Sequence, residues 1–247
     1  MSRGRIFLAL LLLVAFWQLL SMLVNQPILP SPLDVVRTMA QPKELGDLAR
    51  NFGASLWRVL GSMFLSICLA VPAGLVLGQS PRWNRFFSPI IYWLYPIPKV
   101  VLVTVVMLIL GIGDFAKIFI IFLVLFFQIL VLVRDTAAGL RPELIQSVRS
   151  LGAGRRALFR YVYLPASLPA ILTALRQSVG TAIAVLYVAE LFATQLGLGY
   201  YIFLNGSTLL NYPAMYGGIV AMSVMGMMFY FGIDALERLL CPWNTRL

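Results

Sequence analysis

Six apolar segments, each about long enough to cross a lipid bilayer, constrain this chain more than any other feature of its sequence. They run roughly over 6–24, 54–78, 89–110, 116–134, 169–193 and 214–236. The chain is 61% hydrophobic and only 11% charged, whereas soluble domains carry about 25% charged residues. Because lipid offers no hydrogen bonds to the backbone, each segment must be helical. We therefore predict an all-α integral membrane protein with about six transmembrane helices in a single domain, residues 1–247.

Positive charge is distributed unevenly between the loops that join these segments. The chain carries 19 Lys and Arg against 9 Asp and Glu, for a net charge of +10. Most of the arginines fall in the tails and in alternate loops, and loops rich in Lys and Arg stay in the cytoplasm. This rule places both termini and the long loop 141–168 on the cytoplasmic side. The excess of basic residues is thus explained by the orientation of the chain in a lipid bilayer, and no nucleic-acid partner is expected.

Several absences from the sequence exclude whole classes of activity. The chain has no histidine, which excludes HExxH zinc sites and histidine-dependent catalytic triads. It has no GxxxxGK[ST] sequence, so it cannot be a nucleotide-binding subunit of the P-loop type. Cys68 and Cys241 are far apart and belong to no motif. We therefore predict no catalytic residue, no metal site and no cofactor site in this chain.

The stretch 141–168 between the fourth and fifth segments is too regularly patterned to be a simple connector. Pro142 suits the first turn of a helix, Glu143 complements its positive end, and Gly152 suits its stop. Leu144, Ile145, Val148 and Leu151 recur at helical spacing, which predicts a short amphipathic helix. Such a helix can rest on anionic lipid or dock into a groove of a soluble partner, and the spacing alone leaves both open.

Polar residues inside the apolar segments are candidates for a substrate pathway, because burying them in lipid is costly. Lys99 lies beside the proline-interrupted sequence YPIPK of the third segment, where a break in the helix is predicted. Arg176 and Glu190 lie in the fifth segment, where they can also reach the two membrane surfaces or pair across helices. The predicted pathway candidates are Lys99, Tyr95, Arg176, Tyr187 and Glu190.

The stretch around Gly152 resembles the EAA loop of permease subunits from binding-protein-dependent ABC importers. In that pattern EAA, three residues, Gly and nine residues precede Ile-x-Leu-Pro. Here Val162, Tyr163, Leu164 and Pro165 match the second half, and Gln146, Ser147 and Val148 replace Glu-Ala-Ala. The further sequences ILPSPLDVV, YPIPKVVLV, GIGDFAKIF and LGLGYYI occur in the order seen in the nitrate/sulfonate/taurine branch of this family.

The resemblance implies a type I ABC importer permease with the MetI-like fold in the bacterial cytoplasmic (inner) membrane. The chain would form the translocation pathway for a small anion such as a sulfonate or nitrate, or for a related organic molecule. It implies two cytoplasmic ABC ATPase subunits as partners, a second permease copy in a homodimer, and a periplasmic or extracellular substrate-binding protein. ATP and Mg²⁺ would be bound by the partner ATPase and not by this chain.

The same resemblance assigns the contact with the ATPase to the loop 141–168, which would act as a coupling helix. The residues implied are Glu143, Leu144, Gln146, Ser147, Val148, Leu151, Gly152, Ala153, Leu164 and Pro165. Charging the apolar face of this helix is expected to uncouple transport while the membrane fold stays intact.

Two other classes of function remain as alternatives. Gly111-Ile112-Gly113-Asp114 matches the GxGD string of intramembrane aspartyl proteases, whose chemistry needs a second carboxylate close by. The other aspartates are predicted in loops or at segment ends. A channel, or a coupling subunit of another transporter type, could also use a cytoplasmic helix, and it would not bind an external soluble protein.

Overall fold

The computed structural model describes residues 3–192 and 194–243, and within these ranges the chain forms eleven α-helices and no β-strand. In chain order they are α1 (Arg3–Val24), α2 (Pro32–Met39), α3 (Pro42–Gln79), α4 (Pro81–Leu94), α5 (Val103–Leu110), α6 (Asp114–Ala138), α7 (Pro142–Ser150), α8 (Arg155–Leu158), α9 (Leu164–Leu191), α10 (Leu198–Phe203) and α11 (Tyr212–Leu240). The predicted all-α class is confirmed.

The long helices match the predicted apolar segments in type and differ from them in extent. Among the described residues, Pro42–Gln79, Asp114–Ala138, Arg156–Leu191 and Tyr212–Leu240 are each long and apolar enough to cross a membrane. α4 and the stretch Lys99–Leu110 pass the same test together. The apolar part of α1 is shorter, Leu8–Val24, so six crossings stay a prediction.

The third segment differs from its prediction in where it begins. It was expected over 89–110 with a break at YPIPK, but it begins at Pro81, and it is interrupted between Leu94 and Lys99 with a bend of 76°. The helix starts earlier because Pro81 suits a first helical turn. The interruption falls at the predicted site, where Pro96 and Pro98 cannot donate backbone hydrogen bonds.

Lys99 supports the backbone at this interruption. Its side chain is buried, and its ammonium donates hydrogen bonds to the carbonyl oxygens of Leu94 and Tyr95 at 2.9 Å each and of Ile97 at 3.2 Å. The ammonium also lies 4.7 Å from the ring centre of Phe127 on α6. The Lys99 ammonium thus donates hydrogen bonds at a place where Pro96 and Pro98, which lack a backbone N–H group, cannot.

The described chain forms two compact units, residues 1–56 with 190–224, and residues 57–189 with 225–247. α3, α9 and α11 contribute residues to both units. The single-domain organisation of the chain stays a prediction.

The first unit contains a tight turn before α10 in which side chains cap three successive backbone N–H groups. Gly197 N–H donates to Asn51 Oδ1 at 2.7 Å, Leu198 N–H to Ser55 Oγ at 2.8 Å and Gly199 N–H to Glu190 Oε2 at 2.8 Å. Gly197 has a φ of 134°, a conformation that side chains disfavour. The sequence LGLGYYI therefore specifies a buried and fully capped helix start.

Tyr201 anchors α10 in the same unit. Its hydroxyl donates to Glu44 Oε2 at 2.8 Å, and burial, followed by this hydrogen bond, raises the pKa of Tyr201 above its ordinary value. The phenol therefore keeps its proton and the hydrogen bond at physiological pH.

In the second unit the core lies where α3 packs against α6, with Leu75, Ile120, Ile121, Leu125 and Ile129 fully buried. Glycines on α3 allow the two backbones to approach closely. A Cβ at Gly74 would lie 2.9 Å from Val133 Cβ, and a Cβ at Gly78 would lie 2.5 Å from Ala137 Cβ and 2.6 Å from the Arg134 carbonyl oxygen. Small residues at such contacts are the usual solution for helices packed in lipid.

We predict that Gly78→Ala destabilises the protein, because the added methyl group must displace the backbone of α6. Overpacking of this kind costs about 1–3 kcal/mol. Gly53→Ala on the same helix is the matched control, since a Cβ there meets nothing within 4 Å. The measurement is the midpoint temperature at which the detergent-solubilised protein leaves its monodisperse gel-filtration peak. Equal midpoints for the two variants would contradict the close contact.

We also predict that Lys99→Met lowers the amount and thermal stability of the folded protein, because three carbonyl groups lose their donor. Each unsatisfied buried acceptor costs roughly 1–3 kcal/mol. Lys99→Arg keeps the charge and is expected to recover part of the loss. If Lys99→Met folds like the wild type and loses only substrate uptake, the lysine serves the pathway and not the backbone.

Candidate functional site

The loop between α6 and α9 forms a short helix at the predicted place. α7 begins at Pro142 and ends at Ser150, and Gly152 follows with a φ of 81°, the left-handed conformation typical of a residue after a helix end. No residue of α7 is buried. The helix is therefore a surface element whose two ends are specified locally by a proline and a glycine.

The apolar residues of α7, and Leu151 directly after its end, differ in how far they are exposed. Leu144 and Leu151 are 50% and 85% exposed, whereas Ile145 and Val148 are half-buried. α7 packs against α8 and against the π-helical turn Phe159–Tyr163 that follows it. The four residues were expected to form one docking face, and the structure leaves only the two leucines of the four fully available to a partner.

The remaining residues predicted for coupling surround these leucines or lie behind them. Glu143, Gln146 and Ser147 are exposed, and the Ser147 hydroxyl donates to the Glu143 carbonyl oxygen at 2.7 Å. Ala153 is half-buried beside Gly152, and Leu164 and Pro165 are half-buried at the start of α9. The contact of any of these ten residues with an ATPase stays a prediction.

The segment that leads from α7 into α9 is firmly packed. Leu158, Val162 and Tyr163 are buried, so the π-helical turn is held within the second unit. π-helical turns are rare and occur often at functional sites. A displacement of α7 would therefore be passed to α9 through packed side chains and not through a flexible loop.

The three charged residues proposed for the pathway have partners within the protein. Lys99 binds the carbonyl groups of the third segment, as described above. Arg176 on α9 pairs with Asp234 at 3.0 Å and with Glu237 at 3.2 Å, both on α11. These contacts offset the cost of burying Lys99 and Arg176 in lipid, and a pathway role for either residue stays a prediction.

Glu190 is fully buried, and its carboxylate accepts hydrogen bonds from the Ser55 hydroxyl at 2.8 Å and from Gly199 N–H at 2.8 Å. The side chain therefore does not reach the outer surface, one of the positions considered for it, and bonds across helices instead. Buried carboxylates bonded in this way stabilise a local conformation.

Among the pathway candidates, Tyr95 lines a polar cavity. The cavity has a volume of about 190 Å³, and its other polar lining residues are Gln128, Asp135 and Gln177. Tyr187 is half-buried on α9 and does not line it. These three residues were not among the predicted pathway candidates, although the glutamine within the apolar run FFQIL was a visible signal.

The exposed residues of α9 differ from those of the other long helices. They are Ala166, Gln177, Gly180 and Ala184, and no large hydrophobic side chain of α9 is exposed. α11, by contrast, exposes Val224, Met228 and Phe231 among others. A helix face that contacts lipid is normally apolar and bulky, so α9 has the composition of a face that contacts water or protein.

Asp114 of the GxGD string has a structural role. Its carboxylate accepts hydrogen bonds from Arg58 Nε at 2.9 Å and Nη2 at 2.7 Å, and Arg58 is buried. The aspartate also lies in the first turn of α6, where a negative charge is favourable. This explains the sequence GIGD as an ion-paired helix start.

Comparison with known proteins agrees with these features. A family described as the binding-protein-dependent transport system inner membrane component matches residues 70–245. The taurine transport system permease protein TauC of Escherichia coli K12 is 30% identical over 239 residues, which cover 94% of this chain and 86% of TauC. The formylaminopyrimidine transport permease protein ThiX of Halalkalibacterium halodurans is 28% identical over 238 residues, covering 96% and 94% of the two chains.

The fold is also similar to that of a solved ABC transporter. A chain of the MetNI methionine ABC transporter in an inward-facing conformation superposes with a TM-score of 0.68 at 20% identity, covering 82% of this chain and 99% of that one. The superposition confirms the predicted MetI-like fold, and the family match and the relatives confirm the membrane location and a transport role rather than an enzymatic one. The chain belongs to the family of inner-membrane components of binding-protein-dependent transport systems and is the permease subunit of an ABC importer.

Proposed function

We propose that this chain works as one of two identical permease subunits, assembled with two cytoplasmic ABC ATPases, and imports a small sulfonate or a related organic anion. An external binding protein delivers the substrate, and the ATPases bind ATP and Mg²⁺. The observation that carries the proposal is the exposed helix α7, whose two leucines are uncovered at the end of a packed connection to α9.

The exposed leucines favour a protein partner over a lipid surface. Leu144 and Leu151 are accompanied by exposed Glu143, Gln146, Ser147 and Arg149. Charges of both signs around an apolar contact are compatible with the rim of a protein interface, whereas an anionic membrane surface would attract the arginine and repel the carboxylate. Two leucines on one short helix are typical of the helix-in-groove mode of recognition.

Coupling follows from the packing behind α7. When ATP brings the two ATPases together, α7 moves with the groove that holds it. The half-buried Ile145 and Val148 and the buried Val162 transfer this movement to α9. The permease then alternates between two packed arrangements, each favoured by a different partner.

A permease pair is supported by the small and polar surface of α9. Gln177 cannot face lipid cheaply, and Gly180 and Ala184 allow close approach of another backbone or leave room for water. A second copy covering this face would enclose a pathway between the subunits. The sulfonate class is supported by the relative TauC, whose name specifies taurine.

We predict that the double variant Leu144→Glu/Leu151→Glu loses its ATPase while its membrane fold is unchanged. The interface would lose two buried apolar contacts and gain two charges, and retention should fall by roughly tenfold or more. The measurement is purification of the tagged chain from its native host in mild detergent. Mass spectrometry then gives the amount of bound ATPase, and light scattering tests for two permease chains in each complex.

Ser150→Glu is the control for added negative charge, because it introduces one glutamate at an exposed position of the same helix, rotated by about 100° from the direction of Leu151. This variant should keep its ATPase. Gel filtration and thermal midpoints report the fold of both variants. Retention of the ATPase by the double variant, or equal loss from the control, would reject α7 as the docking helix.

A further inference from the structure

The second unit contains a polar cavity. It is lined by Tyr95 at the interruption of the third segment, by Gln128 and Asp135 on α6, and by Gln177 on α9. Its volume of about 190 Å³ is below the roughly 300–1,000 Å³ of pockets that hold drug-sized ligands. It would fit a small metabolite.

Three of these side chains are available to bind a ligand. The Tyr95 hydroxyl and the carboxamides of Gln128 and Gln177 form no hydrogen bond with any residue that the structure describes. Carboxamides in a membrane-spanning helix normally bond to a neighbouring helix or face water. Their convergence on one cavity, from two helices and a helix break, gives the cavity several donors and acceptors.

Arg134 and Asp135 form an ion pair beside the cavity, and the carboxylate is the more exposed of the two groups. Asp135 Oδ1 accepts a hydrogen bond from Arg134 Nε at 2.8 Å and forms an ion pair with Arg134 Nη2, also at 2.8 Å. The Arg134 side chain is buried, whereas that of Asp135 is 59% exposed and lines the cavity. Asp135 Oδ2 accepts no hydrogen bond from the described residues. A ligand would therefore meet a carboxylate oxygen first, with the positive charge behind it.

We infer that this cavity binds a small zwitterionic substrate, an aminosulfonate, through its ammonium group, an inference that rests on the importer function proposed above. The ammonium donates to Asp135 Oδ2. The sulfonate accepts hydrogen bonds from the amide N–H groups of Gln128 and Gln177 and from the Tyr95 hydroxyl. Each group of the ligand meets a group of complementary charge or hydrogen-bonding character.

A simple anion fits this cavity less well. No Lys or Arg is among the described residues that line it, and the only charged lining group is the Asp135 carboxylate. An alkanesulfonate without an amine would gain the amide and hydroxyl hydrogen bonds and be repelled by the carboxylate. The cavity therefore selects for the ammonium group within the wider class of sulfonates.

The test is ligand binding to the purified permease–ATPase complex in detergent, without the binding protein, so that the specificity of the binding protein does not enter. Taurine and 2-hydroxyethanesulfonate are the probes, because they differ in size only slightly and the second carries a hydroxyl group in place of the ammonium. Isothermal titration calorimetry gives the dissociation constants. Taurine is expected to bind at least about tenfold more tightly than 2-hydroxyethanesulfonate.

Two variants assign the binding to the cavity. Asp135→Asn should raise the dissociation constant of taurine at least about tenfold and leave that of 2-hydroxyethanesulfonate unchanged or lower. Gln177→Ala removes an exposed side chain without an internal partner, so this variant should fold and should bind both ligands more weakly. It therefore tests the cavity even if Asp135→Asn fails to fold. Asp47→Asn, an exposed carboxylate of the first unit, is the charge-matched control and should not change either constant.

Equal binding of the two probes, absence of taurine binding at millimolar concentration, or taurine binding unaffected by Gln177→Ala would each overturn the inference. These outcomes differ from failure of the importer function, because in that case the chain would purify without an ATPase. A complex that retains its ATPase but binds no taurine would leave the importer function standing and reject the cavity alone.

Discussion

Lipid cannot hydrogen-bond to a peptide group, and the structure depends on side chains that satisfy the backbone wherever a helix is interrupted. At the break in the third segment the Lys99 ammonium binds three carbonyl oxygens. At the turn before α10, Asn51, Ser55 and Glu190 bind three N–H groups. The positive side chain lies at carbonyl groups and the carboxylate at an N–H group, as the polarity of helix ends requires.

The most conspicuous charged residues of the spans bind other parts of the protein. Lys99 binds carbonyl groups at the helix break, Arg176 pairs with α11, and Glu190 accepts hydrogen bonds at the turn before α10. The cost of burying a charge in lipid is thereby offset within the chain. The residues of α9 that stay exposed are small or uncharged, namely Ala166, Gln177, Gly180 and Ala184.

α7 follows a different physical rule. It lies outside the apolar spans, and its boundaries come from local features, a proline at its start and a glycine with positive φ after its end. Leu144 and Leu151 are exposed, while the half-buried residues of α7 face the elements that lead into α9. Under the proposed function, this short helix would combine a docking surface with a packed connection to α9.

The sequence by itself determined the helical class, the approximate positions of the spans, the break at YPIPK and the position of α7. These features depend on hydrophobic runs, prolines and glycines, whose effects are local. The start of the third segment at Pro81 was missed because the amphipathic sequence before residue 89 is less apolar than a membrane span.

Only the tertiary structure decided the partners of the charged side chains, since Arg176 is paired with residues about sixty positions away on α11. It alone brought Tyr95, Gln128, Asp135 and Gln177 to one cavity, because three separate elements meet there. Long-range packing sets such positions, and no local pattern in the chain records them.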